Sequence, residues 1–205
     1  MALSQKEKQE THERIVQVAA RRLREHGLQG VGVADLMKEA GLTVGGFYKH
    51  VGSRDDLVAE AMQAAFEGST QAMTKGGRSF AELTAGEFAE SYLSESHCAG
   101  PGEGCAFAML TSDLGRSDDK TRAIATARLQ RNFKAFEGRI AGEDEAARRR
   151  QAIVAVCAMA GAGGTAAGSD GAVLLTDLIE AGQNLRRHEG TRQYPTYKRT
   201  GKTRR

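Results

Sequence analysis

The amino-acid sequence predicts an all-α protein, and three of its properties lead to that prediction. Long stretches are rich in Ala, Glu and Arg, which favour helices, and only two prolines occur in 205 residues. Clusters of β-branched residues, which favour strands, are few. Through most of the chain, apolar residues recur at steps of three and four, so that they share one face of a helix.

The first helix is predicted over residues 11–26, because a stripe of apolar side chains shares one face there. The stripe consists of Ile15, Val18, Ala19 and Leu23. Basic side chains are expected on the other face, away from the core. They are His12, Arg14, Arg21 and Arg24.

Two short helices joined by a tight turn are predicted in the next segment, VADLMKEAGLTVGGFYKHV, residues 33–51. Gly41 supplies the turn, because glycine adopts a positive φ at little cost. Thr43 is expected to cap the second helix by accepting a hydrogen bond from a backbone N–H at its start. Val44, Phe47 and Val51 follow at three- and four-residue steps and are expected to pack inward.

The second of these helices presents small and polar residues on its outer face. They are Gly45, Gly46, Tyr48, Lys49 and His50. Two helices with a glycine turn match the helix-turn-helix plan, in which the second helix enters the major groove of DNA. An apolar hairpin of this size is also common as ordinary core, so the pattern alone does not decide between these interpretations.

Four linked segments narrow the interpretation. They are IVxxAAxxLxxxG at 15–27, VADLxxxAGLT at 33–43, GGFYKHV at 45–51 and SRDDLVxEA at 53–61. In this order and spacing, residues 11–66 resemble the N-terminal domain of the TetR family of transcriptional regulators (TetR/AcrR type). The sequence departs from the family at Gly32, where a Ser or Thr cap is usual, and at Met37, where Ala is usual.

The resemblance implies a helix-turn-helix DNA-binding domain over residues 1–52 and an effector-binding and dimerisation domain over 53–187. It also implies a homodimer that represses transcription on palindromic operator DNA and is released by a small-molecule or electrophilic effector. Positions matched to the family motif are expected to face base edges and backbone: Thr43, Val44, Gly45 and Gly46. Hydrogen-bond donors to phosphates are expected at Tyr48, Lys49 and His50.

Five further helices are predicted in the second domain. They run over 53–73, 80–96, 118–141, 143–167 and 169–187, and an additional short helix is opened by Cys105. Ser53 and Asp56 are expected to form the cap at the start of the helix over 53–73. The first would join the DNA-binding head to the body, so that its tilt carries a signal. An apolar effector pocket is expected among Phe88, Tyr92, Phe107, Leu110 and Phe133. The dimer interface is expected along two stripes, Ile153, Val156 and Ala160, and Leu174, Leu178 and Leu185.

The three cysteines, Cys98, Cys105 and Cys157, form neither a disulfide framework nor a metal-site spacing. Cys157 is surrounded by apolar residues and is expected in the core. Cys105 follows a glycine loop at the start of a helix, a position that favours the reactive thiolate. The segment PGEGCAFAMLTSDL resembles the branch that contains the NemR-type electrophile sensors, so Cys105 is an alternative sensor to a reversible ligand.

Other classes of protein find little support. The segment GAGGTAA, 161–167, fits a dinucleotide fingerprint only superficially, because no strand precedes it. Close helix packing explains it better. No catalytic residue set, metal site or cofactor is predicted, and no apolar run reaches the length of a membrane span. A cytoplasmic protein without enzymatic activity is expected.

Charge separates the chain into two parts. Residues 186–205 carry eight Lys and Arg against one Glu, so the remainder has a net charge of −4. Residues 188–205 are expected to be a disordered tail. A nonspecific DNA-packaging protein would be basic throughout, and the acidic body argues against that alternative.

Overall fold

The computed structural model describes residues 4–73, 82–94, 97, 100 and 102–167. The described residues are helical and contain no strand, which confirms the all-α prediction. The α-helices are α1 (Gln5–His26), α2 (Val33–Glu39), α3 (Phe47–His50), α4 (Arg54–Met73), α5 (Ala85–Tyr92), α6 (Ala106–Leu114), α7 (Asp119–Glu137) and α8 (Glu145–Ala167). Short 3-10 turns occupy Leu28–Gly30 and Val44–Gly46. The predicted last helix and the basic tail lie outside the described residues.

Helix α1 begins six residues earlier than predicted, because Ser4 and Glu7 form a capping box. The backbone N–H of Glu7 donates to Ser4 Oγ at 3.2 Å, and the backbone N–H of Ser4 donates to the Glu7 carboxylate at 2.6 Å. This pattern was present in the sequence, ahead of the first apolar residue of the stripe. The first ten residues of α1 are therefore helical although they are polar.

The other helix starts follow the same chemistry. The predicted cap at Ser53 is confirmed, since the N–H of Asp56 donates to Ser53 Oγ at 3.0 Å. Asp118 caps α7 by accepting from the N–H of Thr121 at 2.8 Å. A capping box between Thr84 and Glu87 starts α5 at residue 85, so the helix predicted over 80–96 is shorter than expected.

The main core lies between α1 and α4. The predicted stripe is confirmed at Ile15, Ala19 and Leu23, which are fully buried. They belong to one continuous cluster that also contains buried side chains of α2, α3, α4 and α6. Met37, one of the departures from the family pattern, is fully buried in it. The packing between α2 and the rest of the domain therefore accommodates the larger side chain.

A second core cluster holds the body together. Its buried members come from α5, α7 and α8 and are Phe88, Tyr92, Leu93, Phe136, Ala152 and Met159. The rings of Phe88 and Phe136 meet edge to face, with centroids 5.5 Å apart. This geometry suits the quadrupoles of two aromatic rings. The long helices α7 and α8 are thus fixed to the shorter α5.

Arg24 connects the two parts of the chain, which corrects the expectation that it faces away from the core. Its Nε donates to the carbonyl oxygen of Gly102 at 2.5 Å, and its Nη1 donates to that of Ala65 at 3.3 Å. Next to it, the hydroxyl of Ser69 donates to the carbonyl oxygen of Gly104 at 2.9 Å. The loop that precedes α6 is therefore bonded to both α1 and α4.

The far end of α6 is also attached to the N-terminal helices. The backbone N–H of Leu28 donates to Asp113 Oδ2 at 2.8 Å. This carboxylate satisfies a backbone donor at the turn that follows α1. Helix α6 is thus held to α1 at its start, through the loop, and at its end, through Asp113.

Helices α6 and α8 approach each other closely at two glycines, Gly163 and Gly164. A Cβ atom on Gly164 would lie 2.8 Å from the carbonyl oxygen of Ala108, and one on Gly163 would lie 3.4 Å from the Ala108 Cβ. This confirms the predicted close helix packing at Gly163 and Gly164, whereas a Cβ atom on Gly161 would meet nothing within 4 Å. Cys157, on the same helix, is exposed, so its predicted place in the core is wrong.

Among the described residues, no helix combines the length and the apolar character that a membrane crossing needs.

Gly164→Ala is expected to destabilise the protein by about 1–3 kcal/mol, because the new methyl group would collide with a backbone carbonyl that cannot move alone. Urea unfolding of the full chain measures this change. Gly68→Ala, in α4, is the matched control, since its Cβ would have no neighbour nearer than 4.0 Å. The control should be neutral or stabilising by up to about 1 kcal/mol. Equal shifts for both variants would contradict the close helix contact.

Candidate nucleic-acid interface

The turn between α2 and the next helix is built as the sequence predicts. Gly41 has a φ of +72°, in the left-handed region that favours glycine. The N–H of Leu42 then donates to the carbonyl oxygen of Met37 at 2.8 Å, which closes the end of α2. The chain therefore reverses direction within three residues and brings the following helix across α2.

The second helix of the motif, residues 44–50, is called the outer segment below. It begins as a 3-10 turn, Val44–Gly46, and continues as α3. The predicted side-chain cap at Thr43 is wrong, because its hydroxyl accepts no backbone hydrogen bond there. Instead the Thr43 carbonyl oxygen accepts from the N–H of Gly46 at 2.9 Å. The tight turn thus satisfies its own backbone.

One face of the outer segment is buried and the other is open. Phe47 is fully buried and Val51, the next residue after α3, is 4 % exposed, as predicted. Val44 is 53 % exposed, so its predicted inward packing is wrong. The 3-10 turn breaks the 3.6-residue spacing on which that prediction rested. Tyr48 is 78 % exposed and presents its hydroxyl to solvent.

The predicted DNA-binding residues thus lie together at one end of the protein. Exposed side chains or backbone are found at Thr43, Val44, Gly45, Tyr48 and Lys49, and Gly46 and His50 are half-buried. A Cβ atom on Gly45 would meet nothing within 4 Å, and one on Gly46 would meet only atoms at ordinary contact distance. Crowding against α2 therefore does not account for the two glycines.

A basic groove adjoins the outer segment, and the sequence analysis missed it. It has a volume of about 580 Å³ and is lined by Gln5, Lys6, Lys8, Gln9, His12, Lys49 and His50. The first four lie on the part of α1 that precedes the helix predicted over residues 11–26. The capping box at Ser4 was the signal that would have placed Lys6 and Lys8 on this helix beside Lys49.

His12 forms the floor of this groove rather than facing solvent. One ring nitrogen contacts the backbone of α3 and the other contacts a carboxylate of α4. Burial lowers the pKa of His12, but the bonds to the His50 carbonyl and to Glu60, together with the charges of Glu60 and Glu13, raise that pKa by more. The net effect is a pKa above the ordinary value of histidine.

Cys105 is the N-cap residue of α6, as predicted, and is half-buried. It lines a small cavity of about 10 Å³ together with Tyr92, His97, Gly100, Gly104, Ala108, Met109 and Gly163. This volume holds about one water molecule. Burial lowers the pKa of His97, which favours the neutral imidazole beside the cavity.

The residues of the predicted effector pocket are distributed over the body. Phe107 and Leu110 belong to the main core cluster, and Phe88 and Tyr92 belong to the second cluster. Phe133 is half-buried beneath the guanidinium of Arg149, which lies 5.5 Å from its ring centre. Of these five residues, Tyr92 lines the cavity next to Cys105.

Comparison with known sequences agrees with this geometry. Residues 15–61 match a protein family described as "Bacterial regulatory proteins, tetR family". The matched span includes α2, the turn at Gly41 and the outer segment. The resemblance that the four sequence segments carry is therefore confirmed. No curated protein matches the chain.

Solved structures share the fold. The reduced form of NemR from E. coli superposes with a TM-score of 0.67 at 17% sequence identity, covering 85% of this chain and 96% of its own. A TetR transcriptional regulator from Chloroflexus aurantiacus superposes with a TM-score of 0.72 at 21% sequence identity, covering 86% of this chain and 93% of its own. A TetR-family regulator from Cytophaga hutchinsonii superposes with a TM-score of 0.72 at 19% sequence identity, covering 90% of this chain and 96% of its own. At these identities the likeness is one of fold.

Proposed function

We propose that this chain, whose residues 15–61 match the family of bacterial regulatory proteins named after TetR, binds a palindromic operator as a homodimer and represses transcription until an effector releases it. The observation that carries this proposal is the open face of the outer segment. It projects small and cationic residues while Phe47 behind it is fully buried. Such a repressor acts in the cytoplasm, where bacterial DNA lies.

Two kinds of DNA contact follow from the positions of the side chains. Tyr48 and Lys49 donate hydrogen bonds to phosphates, which hold the protein on the duplex without reading sequence. Lys6 and Lys8 extend this phosphate-binding surface along α1. Val44 and the two glycines approach base edges, where Val44 offers apolar contact to a thymine methyl group. Close approach of the backbone is the reason for glycine at 45 and 46.

Lys49→Ala is expected to weaken binding to all DNA sequences alike. It should also reduce the slope of log affinity against log salt concentration by about one, because one phosphate contact is lost. Tyr48→Phe is expected to weaken binding in the same uniform way. Gly46→Arg, whose Cβ atom would stand at ordinary contact distance from its neighbours, should instead change the preferred sequence. Binding is measured over a series of salt concentrations on the duplex that the wild-type protein selects from a random-sequence library.

Lys134→Ala is the matched control, because Lys134 is an exposed lysine in the last turn of α7, away from the outer segment. It should leave the salt dependence unchanged. If Lys49→Ala and Gly46→Arg leave both affinity and sequence preference intact, the outer segment is not the DNA-reading element.

Dimerisation is proposed through α8. Val156 packs in the second core cluster and Ala160 against the main one, so the predicted stripe faces partly into its own chain. The neighbouring face of α8 carries small and apolar residues that are exposed. They are Val154, Cys157, Ala158 and Gly161. An apolar face of this kind suits a self-complementary interface across a two-fold axis. The second predicted stripe, with Leu174, Leu178 and Leu185, lies outside the described residues.

Val154→Asp is expected to give monomers at micromolar concentration, because two carboxylates would be brought together in an apolar interface. Operator affinity should fall as well, since one head reads only a half-site. Sedimentation velocity measures the first effect. Ala127→Asp, an exposed position on α7, is the control for the added charge and should remain dimeric. A monomeric wild-type protein would contradict the proposed assembly.

The effector is proposed to act on the cavity beside Cys105, as a small apolar molecule or as an electrophile that modifies the thiol. The cavity holds about one water molecule, so either effector must displace its walls. One wall is the loop that ends at Gly104, and that loop is bonded to α1 and α4. Displacement there is expected to move the DNA-binding head.

Cys105→Ser distinguishes the two kinds of effector. If the thiol is the sensor, an alkylating agent should release the operator from wild-type protein but not from Cys105→Ser. Cys157→Ser is the control, because it removes the exposed thiol of the proposed dimer face, where alkylation could separate the subunits without involving Cys105. It should behave as wild type. Release by the alkylating agent that persists when Cys105→Ser is combined with Cys157→Ser rejects the sensor, and release by an unreactive apolar compound favours the pocket.

A further inference from the structure

The imidazole of His12 joins three helices of the N-terminal domain. Its Nδ1 lies 2.8 Å from the backbone carbonyl oxygen of His50, the last residue of α3. Its Nε2 lies 2.6 Å from Oε2 of Glu60 on α4. His12 itself belongs to α1 and has a quarter of its side chain exposed, at 25%. One ring therefore connects the end of the outer segment to the long helix behind it.

Both partners of the ring are hydrogen-bond acceptors, and this determines which form of histidine fits. A neutral imidazole carries one N–H and can donate to one partner only. Its other nitrogen then directs a lone pair at an oxygen that also carries lone pairs. The imidazolium carries two N–H groups and donates to both the His50 carbonyl and the Glu60 carboxylate. The complete bridge requires a proton on His12.

We propose that protonated His12 holds the end of the outer segment in position against α4, so that operator binding depends on the proton at this ring. The inference rests on the proposed DNA-binding function and adds its regulation by pH. His12 is a positioning residue here: it acts through the backbone of His50 on Tyr48 and Lys49.

The surroundings of the ring decide the direction of the effect. The charged and titratable groups that face it are Lys6, Lys8 and Glu13 of α1, Lys49 and His50 of α3, and Glu60 of α4. Burial lowers the pKa of His12, but the bonds to His50 and Glu60 and the charges of Glu60 and Glu13 outweigh it, so the pKa is raised. The bridge therefore contributes fully below the ordinary histidine value of about 6.5 and is lost as the pH rises through the higher value of the folded protein.

The first test uses the full chain without DNA. NMR titration of the imidazole Cε1–H groups should show that Glu60→Gln lowers the titration midpoint of His12 and leaves that of the half-exposed His26 unchanged. Hydrogen-exchange protection factors of amides 47–51 should fall by about tenfold between pH 6 and 8 in the wild type, the order expected for one hydrogen bond to a charged group. In His12→Gln these factors should be low at both values.

The second test uses the duplex that the wild-type protein selects. Its affinity should fall by roughly tenfold between pH 6 and 8 in the wild type, and His12→Gln should lose most of this dependence. His26→Gln is the matched control, because it removes an exposed imidazole of the same helix that lies beside Glu25 and not beside His50 or Glu60. It should retain the pH dependence of the wild type.

The two tests distinguish failure of the His12 proposal from failure of the proposed DNA-binding function. An unchanged His12 titration in Glu60→Gln, or equal pH dependence of operator affinity in wild type and His12→Gln, overturns the proposal. If the protein selects no duplex at all, the proposed function is wrong, and the experiment without DNA still decides whether His12 holds the outer segment. Should His12→Gln fold poorly, Glu60→Gln carries both measurements.

Discussion

The packing of α1 against α4 is the contact on which the rest of the structure depends. Fully buried side chains of α1, with Ile15 and Leu23 among them, meet Leu57, Ala61 and Ala65 of α4. The alanines allow the two helices to lie close together and leave no room for water between them. Burial of this kind contributes about 25 cal/mol per Å² of apolar surface. The short helices α2 and α3 are too small to be stable alone and form by packing on this pair.

Helix α1 carries a different polar contact at each end of its buried face. His12 reaches α3 and Glu60, and Arg24 reaches the loop before α6. The two residues are twelve positions apart, which is about 18 Å along a helix. Because the helix between them is buried and close-packed, a displacement at one end moves it as a rigid body. The loop beside Cys105 and the end of the outer segment are thus connected through one element.

This arrangement adds to the signalling route that the sequence suggested. The family resemblance placed the signal in the tilt of α4 alone. Arg24 donates to the backbone of α4 and of the loop at the same time, and burial partly desolvates its charge, which lowers its pKa. A desolvated guanidinium cannot lose its acceptors cheaply. When the loop moves, α1 and α4 are therefore expected to move with it.

The sequence predicted what depends on local chemistry and spacing. The turn at Gly41, the cap at Ser53 and the helix start at Cys105 each rest on a few adjacent residues, and all three are present. Two local features were missed, the capping box at Ser4 and the 3-10 turn that stands in place of the cap at Thr43. The other misses depend on residues distant in the chain. The contacts of His12 and Arg24 join positions 38 and 78 residues away, so both were expected to face outward. Cys157 has apolar neighbours in sequence, but the face of α8 on which it lies contacts no other described helix.

The outer segment shows how such a fold can present an exposed helical face at a cost to its own stability. Glycine costs a helix about 1 kcal/mol relative to alanine, and neither Gly45 nor Gly46 has a positive φ or a neighbour that would exclude a methyl group. The fold would therefore accept alanine at both positions. The segment persists because it is held from behind, by burial of Phe47 and Val51 and by the bond from His12. Its front face, with Val44 and Tyr48, is left exposed, which is the condition for close approach by another molecule.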